Sequence, residues 1–431
     1  MPHPKERPGP WSRSSRRDFL KRSGGAALAL SGAAPLLAAC SNSTTTGAPA
    51  SSGGEPVGPG GLPLARPDRR VTLPLWRDPI ESGMEPETGG EFIVYNYPAY
   101  IYGKLLKDFG KKYGVTVKVA PFDDINSGIA KLASGAIQPD VTNMTPDNLD
   151  RVVAGELIQP INLDYIPNLK KNVWPSLQSP FYDVGSHYGV PYTTYSTGIA
   201  WRTDRVKEDI EAMANPWDIL WESQAYKGKV AVLSEPRETI AMALLRKGHT
   251  DINTEDPKLI DAAVADLQEL YGVCNVLVND LQYSNVPEDK TWLNQAWSGD
   301  MMSGYFYFLP KPSVGPLLRF WNPGYGKGPI QNDMWSVCAN TKKPVLAHLF
   351  LNYMLDNGVA YSNFVNFNGY QPPLTEIDPE AEVKKGVIPE TLANCILTAD
   401  DLGKDSLQEM TLTSTGQQLW QNGYSEFLAG A

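Results

Sequence analysis

From Glu91 onward the spacing of hydrophobic positions switches repeatedly between two periods. "EFIVYNY" (91–97) is an apolar run of strand type. Residues 100–113 place Leu105, Leu106 and Phe109 on one face of a helix. "VTVKVAPF" (115–122) alternates like a strand, and "SGIAKLAS" (127–134) is a short helix after the polar "DDIN". "PDVTNMT" (139–145) is strand-like, and "PDNLDRVVAG" is a helix starting near Pro146. Strand, helix, strand, helix, strand predicts βαβ units, a mainly parallel sheet and an α/β class. Ligands of such sheets bind at the carboxyl ends of strands, where Asn96, Tyr97, Thr145 and Asp147 fall.

A second α/β stretch follows. "KGKVAVLS" (227–234) predicts a strand and 235–248 a helix with Pro236 in its first turn. Residues 256–272 form a strongly periodic helix, "DMMSGYFYFL" (300–309) reads as a strand, and 344–357 is helical. The C-terminal "STGQQLWQNGYSEFLAG" is helical again. A chain of 431 residues exceeds what one core usually organises, so two lobes are expected. Residues 67–89 fit neither lobe and read as an extended arm across the surface.

The N-terminus reads as a targeting segment. Arg16-Arg17 precede a short apolar stretch, matching a twin-arginine export signal over 1–39. "LAAC" is similar to a bacterial lipobox and would make Cys40 the lipidated first residue. Ser/Thr/Gly/Pro-rich residues 40–66 read as a flexible tether, which places the body outside the cytoplasmic membrane, lipid-anchored at its outer face or in the periplasm. No later apolar run reaches the roughly 18 residues of a membrane helix.

From residue 40 onward 31 basic residues face 46 acidic ones, a charge of -15 that disfavours nucleic acid and suits cationic partners. Cys274, Cys338 and Cys395 show no CxxC spacing and the four histidines do not cluster, so neither metal nor cofactor is expected. One disulfide with a free thiol and three buried thiols both remain open.

GxSxG, HExxH, the P-loop and a post-strand GxGxxG are all absent, which removes the common enzymes they mark. What stands out is aromatics beside carboxylates at element ends. Tyr97 and Tyr100 follow the first strand, Asp147 the third, and Glu235 and Glu238 share one face of a helix start. Tyr305 and Tyr307 share one side of the expected "GYFYF" strand; "QNDMW" places Asp333 in a connection and "FNGYQPP" places Tyr370 in a Gly/Pro turn. Each has an ordinary alternative: acids of a first helical turn stabilise the helix dipole, and tyrosines beside strands pack. Together they suggest a site for an elongated organic cation, held by aromatic faces and carboxylates.

From about residue 91 to the C-terminus the chain resembles the spermidine/putrescine-binding proteins of bacterial ABC importers. The resemblance is carried by "YNYPAY", "GVPYTTYSTGIAWRTD" (189–204), "KGKVAVLSEPRETIAMAL", "SGDMMSGYFY" and "NFNGYQPPL", in this order. It implies a type II periplasmic-binding-protein fold, two α/β lobes with a ligand cleft between them. It implies lobe 1 over 90–196 plus 333–382, and lobe 2 over 197–332 plus 383–431. The family's pocket falls on Tyr97, Tyr100, Thr145, Asp147, Glu235, Glu238, Tyr307, Gln331, Asp333 and Tyr370. A family acid falls on Ala99, and a C-terminal glutamine aligns with Gln408 across a gap. The acids survive better than the family's tryptophans. Tyr95 is expected to pack inside its strand, and Tyr102 to cover the helix start. The implied function is a monomeric, membrane-anchored binder, not an enzyme, that closes on a polyamine and docks on an ABC permease. The same fold with another solute (an amino-acid derivative, a sugar or an iron complex), a secreted enzyme and a structural lipoprotein are the alternatives.

Overall fold

The computed structural model describes residues 56–122, 124–403 and 405–430. The expected signal (1–39), Cys40 and tether residues 40–55 lie outside them. Strands β1 (Glu91–Asn96), β2 (Thr116–Pro121) and β3 (Val141–Met144) alternate with helices α1 (Gly103–Tyr113), α2 (Ile125–Ala133) and α3 (Leu149–Ala154). Helix α1 buries Leu105, Leu106 and Phe109 and stops at Gly114, whose left-handed backbone (φ 67°) suits a glycine. Helix α2 is capped by Asp124, which accepts from the Ser127 N–H at 2.9 Å. The long strand β4 (Val190–Arg202) follows.

The second half contains β5 (Val230–Val232), α4 (Pro236–Arg246), α5 (Pro257–Cys274), β6 (Leu277–Val278) and β7 (Leu293–Trp297). After them come α6 (Ser298–Phe306), β8 (Leu318–Trp321), β9 (Ile330–Val337), α7 (Pro344–Met354) and α8 (Ser414–Gly430). The strands form one mixed sheet in the order β2-β1-β3-β9-β4-β7-β5-β6, with β8 also on β4. β1 runs parallel to β2 and β3, and β5 to β6 and β7, as the βαβ pattern requires. The connecting strands β4 and β9 are antiparallel, so the sheet is less parallel than expected. Within β4, Val190–Ser196 pair with β9, whereas Thr197–Trp201 pair with β7.

Cores lie on both sides of this arrangement. Ile199, Trp217, Leu220, Ile240, Leu267, Trp420 and Phe427 fill the second half. Phe92, Phe109, Trp335 and Phe350 pack in the first half, and their cluster continues into Met301, Met302, Phe320 and Leu392. Cys274, Cys338 and Cys395 are buried free thiols, so the disulfide alternative is not realised. No helix of the described residues is long and apolar enough to cross a membrane.

Three expectations are corrected. Asp333, expected in a connection, lies within β9, opposite Thr193 of β4. Residues 300–309 are not a strand: α6 occupies Ser298–Phe306, and the strand is β7 just before it. Residues 298–304 are all buried, so the helix has no polar face to give it a readable period. Residues 56–66, expected within the tether, are folded against the body. Val57 bridges Pro63, and Leu64 and Ala65 are buried beside α3. These two side chains escape the Gly/Pro composition that suggested flexibility. Residues 67–89 run extended over the first half, with Leu73 fully buried and Val71 hydrogen-bonded by its backbone to Phe181 and Val184.

Candidate functional site

A cavity of roughly 370 Å³ opens at the carboxyl ends of β1, β3, β5, β6 and β7. That volume falls within the range of small-molecule sites. The chain leaves each of these strand ends in a turn that presents side chains to the cavity. Tyr97 and Tyr100 come from the turn after β1, Thr145 and Asp147 from that after β3, and Glu235 and Glu238 from the β5–α4 junction. Asp333 reaches it from β9 and Tyr370 from the "FNGY" turn.

The tyrosine side is internally bonded. Tyr100 donates its hydroxyl to Asp333 Oδ2 at 2.5 Å, and Tyr195 donates to Oδ1 at 3.4 Å. The Tyr100 ring meets Tyr370 edge-on at 4.8 Å, and Tyr195 meets Tyr370 at 5.6 Å and Trp297 at 6.1 Å. Such edge-to-face contacts are favourable and stiffen the ring positions. Two glycines set Tyr370. A Cβ on Gly299 would lie 2.3 Å from its ring, and Gly369 has φ 72° with a Cβ that would strike the Ser303 N at 2.1 Å. Only glycine lets this turn lie so close against α6. Ala99, where the family's acid would stand, also lines the cavity and holds a positive φ of 56°.

The carboxylate side is different. Glu238 is 4% exposed, and its Oε1 accepts from Trp297 Nε1 at 2.9 Å. Its Oε2 is buried with no partner among the described residues. Asp300 is likewise 4% exposed; Tyr370 donates to its Oδ1 at 2.7 Å and its Oδ2 is left unpartnered. Glu235 Oε1 and Glu409 Oε1 are buried without partners too. Glu235 sits at the α4 N-cap position but makes no capping hydrogen bond, so helix capping does not account for it. Asp280 accepts from the Ser234 N–H at 2.8 Å and from its hydroxyl.

Burial pushes Asp333 and Glu238 up to about 7, against the opposing pull of the Tyr100 and Trp297 hydrogen bonds. Burial raises Asp300 to about 8. Glu235 and Glu409 are held well above the carboxylate range by burial first and by neighbouring carboxylates second.

Eight of the ten expected site residues meet in this cavity; Tyr307 and Gln331 do not. Tyr307 lies past the end of α6, 44% exposed, because its segment is a helix and not the expected strand. Gln331 is buried on β9 but does not line the cavity; Tyr195, its register partner on β4, occupies the wall there. Gln408 donates to Ser406 at 2.7 Å and is also off the wall. Tyr95 is 1% exposed and packs on Phe122, and Tyr102 precedes α1 and stacks on Phe367, as expected of both. The sequence reading missed Tyr195, Trp297, Asp280, Asp300 and Glu409. For Trp297 and Asp300 a signal existed: "QAWSGD" is a strand end followed by a helix start. Among the described residues, no group of three or more His, Cys, Asp or Glu side chains could hold a metal ion.

A cavity at strand ends, walled by residues from both halves of a doubly connected α/β sheet, defines a solute-binding cleft. The chain belongs to the bacterial extracellular solute-binding protein family, whose sequence profile matches residues 104–390. It is 27% identical over 322 residues to the spermidine/putrescine-binding periplasmic protein of Escherichia coli, covering 73% of this chain and 88% of that one. It is 25% identical over 328 residues to the putrescine/cadaverine-binding protein of Pseudomonas aeruginosa, covering 72% and 88%. The fold matches that of the spermidine/putrescine ABC transporter substrate-binding protein of Streptococcus pneumoniae, with TM-score 0.59 and 20% identity over 79% of this chain and 98% of that one. The fold is thus the type II periplasmic-binding-protein fold.

Proposed function

We propose that this protein captures a polyamine in the cleft and delivers it to an ABC permease, outside the cytoplasmic membrane. The observation that carries the reading is a buried cavity lined by seven carboxylates, with a ring of Tyr100, Tyr195, Tyr370 and Trp297 beside them. Protonated amines pair with the carboxylates, and methylenes pass over the aromatic faces. The names of the relatives, which include spermidine and putrescine binders, support the same ligand class. Tyr97, Tyr100, Thr145, Asp147, Glu235, Glu238, Asp333 and Tyr370 are the proposed contacts. A sugar site would need few acids, and this wall has many. The lobes close on the ligand by a hinge, and no bond is made or broken. The N-terminal sequence supports a twin-arginine signal and a lipid anchor on Cys40, with the folded body acting as a monomer.

The test is calorimetry on the soluble form starting after Cys40. Putrescine, spermidine and spermine are titrated, with glutamate and a neutral sugar as controls. A saturable one-to-one signal with an amine alone is expected. Heat from the sugar or glutamate, and none from any amine, would overturn the ligand assignment.

A further inference from the structure

The cavity has two unequal ends. At one, Asp333 and Asp300 are bonded to Tyr100, Tyr195 and Tyr370. At the other, Glu409 is grouped with Glu238, Asp147 and Glu235, and among the described residues lining the cavity Arg237 is the basic one. Arg237 supplies one positive charge to this end, while its hydrogen bonds among the described residues go to neutral groups. It donates to Met410 O at 3.2 Å, Ile252 O at 3.2 Å and Asn253 Oδ1 at 2.6 Å, and its guanidinium lies 4.6 Å over Trp420. The end thus offers more carboxyl groups than one ammonium group can pair with.

Glu409 is held there by a rigid segment. Leu407 O accepts from the Ile330 N–H, Gln408 O accepts from Asn253 Nδ2 at 2.9 Å, and Met410 N donates to Asn253 Oδ1 at 2.8 Å. On the opposite side, Thr411 donates its hydroxyl to the Asp147 carbonyl at 3.1 Å. These bonds fix the backbone on both sides of Glu409, whose side chain lines the cavity. Its Oε1 is buried without a partner, and so are Glu238 Oε2 and Glu235 Oε1.

We propose that Glu409 is a specificity-determining residue that selects amines with three or more ammonium groups over diamines. The inference rests on the polyamine reading above. A diamine places one ammonium between Asp333 and Asp300 and the other among Glu235, Glu238, Asp147 and Glu409, four carboxyl groups for one cation. A third nitrogen pairs with Glu409.

The experiment compares the wild type with Glu409→Gln and Glu409→Asp, titrating putrescine, spermidine and spermine by calorimetry at one pH and ionic strength. In the wild type, spermidine and spermine bind at least about tenfold tighter than putrescine. Glu409→Gln weakens both by about tenfold and putrescine by less than about twofold, the scale of one lost charged hydrogen bond. Glu409→Asp keeps most of the preference. Thermal melting checks that each variant is folded. Equal losses for diamine and triamine, or no loss for either, would overturn the proposal while the polyamine reading stands. A folded wild type that binds none of the three overturns both.

Discussion

The two walls of the cleft are built on opposite principles. On the tyrosine wall Asp333 is paired before any ligand arrives: it accepts from two hydroxyls, and Tyr192 braces the turn by donating to the Tyr100 carbonyl at 2.5 Å. On the carboxylate wall Glu235, Glu238, Asp300 and Glu409 each keep a buried oxygen without a partner. A satisfied polar network stabilises the empty protein, whereas a half-satisfied one costs stability until something completes it. One wall is therefore a preformed template, and the other is completed by the ligand or by protons.

The sharpest break of this comparison is Asp333→Ala. It removes a carboxylate from the cleft and takes the acceptor from the buried Tyr195 hydroxyl, while Tyr100 keeps Thr193 as a partner, so it should weaken amine binding by about 3 kcal/mol and also lower the melting temperature of the unliganded protein. Glu238→Gln should behave differently. It should weaken binding by about 2 kcal/mol, yet leave the empty protein as stable or more so, because a buried carboxyl that favours its neutral form is replaced by a neutral isostere. Calorimetry and thermal melting on both variants settle the matter. If both shift the empty protein's melting in the same direction, the two walls are not distinct.

A change of pH tests the same contrast without mutation. Asp333 and Glu238 sit at about 7 and Asp300 at about 8 in the folded protein, whereas carboxylates of an unfolded chain titrate near 4. The folded state therefore binds more protons than the unfolded state between these limits. That contribution to stability is fully present below about pH 4 and is lost as pH rises through about 7 to 8. The empty protein should accordingly melt at a lower temperature at about pH 8 than at about pH 5.5. Amine affinity should move the other way and strengthen over the same range, because a cation pairs with the ionised forms. Affinity that does not change with pH would mean that the carboxylates are already ionised before the ligand enters.

The sequence made these walls legible to different degrees, for physical reasons. Tyr97, Tyr100, Asp147, Glu235 and Glu238 were readable because each closely follows a strand whose hydrophobic period is clear. Topology puts such ends on one side of a parallel sheet. Asp300 and Trp297 were obscured because "GYFYF" mimics strand alternation, while the segment is a helix buried over 298–304. Tertiary burial overrode the β-propensity of Tyr and Phe. Glu409 had no local signal. Its segment is placed by contacts with Ile330, Asn253 and Asp147, all distant in sequence. The arm was legible as extended, but the docking of residues 56–66 depends on Leu64 and Ala65, two small apolar residues among Gly and Pro.

The smallest effect concerns that arm and the segment that carries Glu409. Arg66 donates from Nη1 to its neighbour's carbonyl, Ala65 O, at 2.6 Å and to Thr411 O at 3.1 Å. Thr411 in turn holds the Asp147 carbonyl, so Arg66 fastens the Glu409 segment to the docked 56–66 stretch just before the arm. The contact is one partly buried hydrogen bond, worth about 0.5–1 kcal/mol. Arg66→Ala should therefore speed ligand dissociation by about two- to fivefold, with little change in association, because the bond acts after the cleft has formed around the ligand. Arg70 is the control, since it lies on the arm itself and its hydrogen bond among the described residues goes to Ser179 O, at 2.6 Å. Stopped-flow fluorescence on Arg66→Ala and Arg70→Ala separates the two roles. A faster off-rate in the first alone identifies a clasp on the carboxylate wall. Equal off-rates in both variants would reduce the arm to a cover for the first half of the fold.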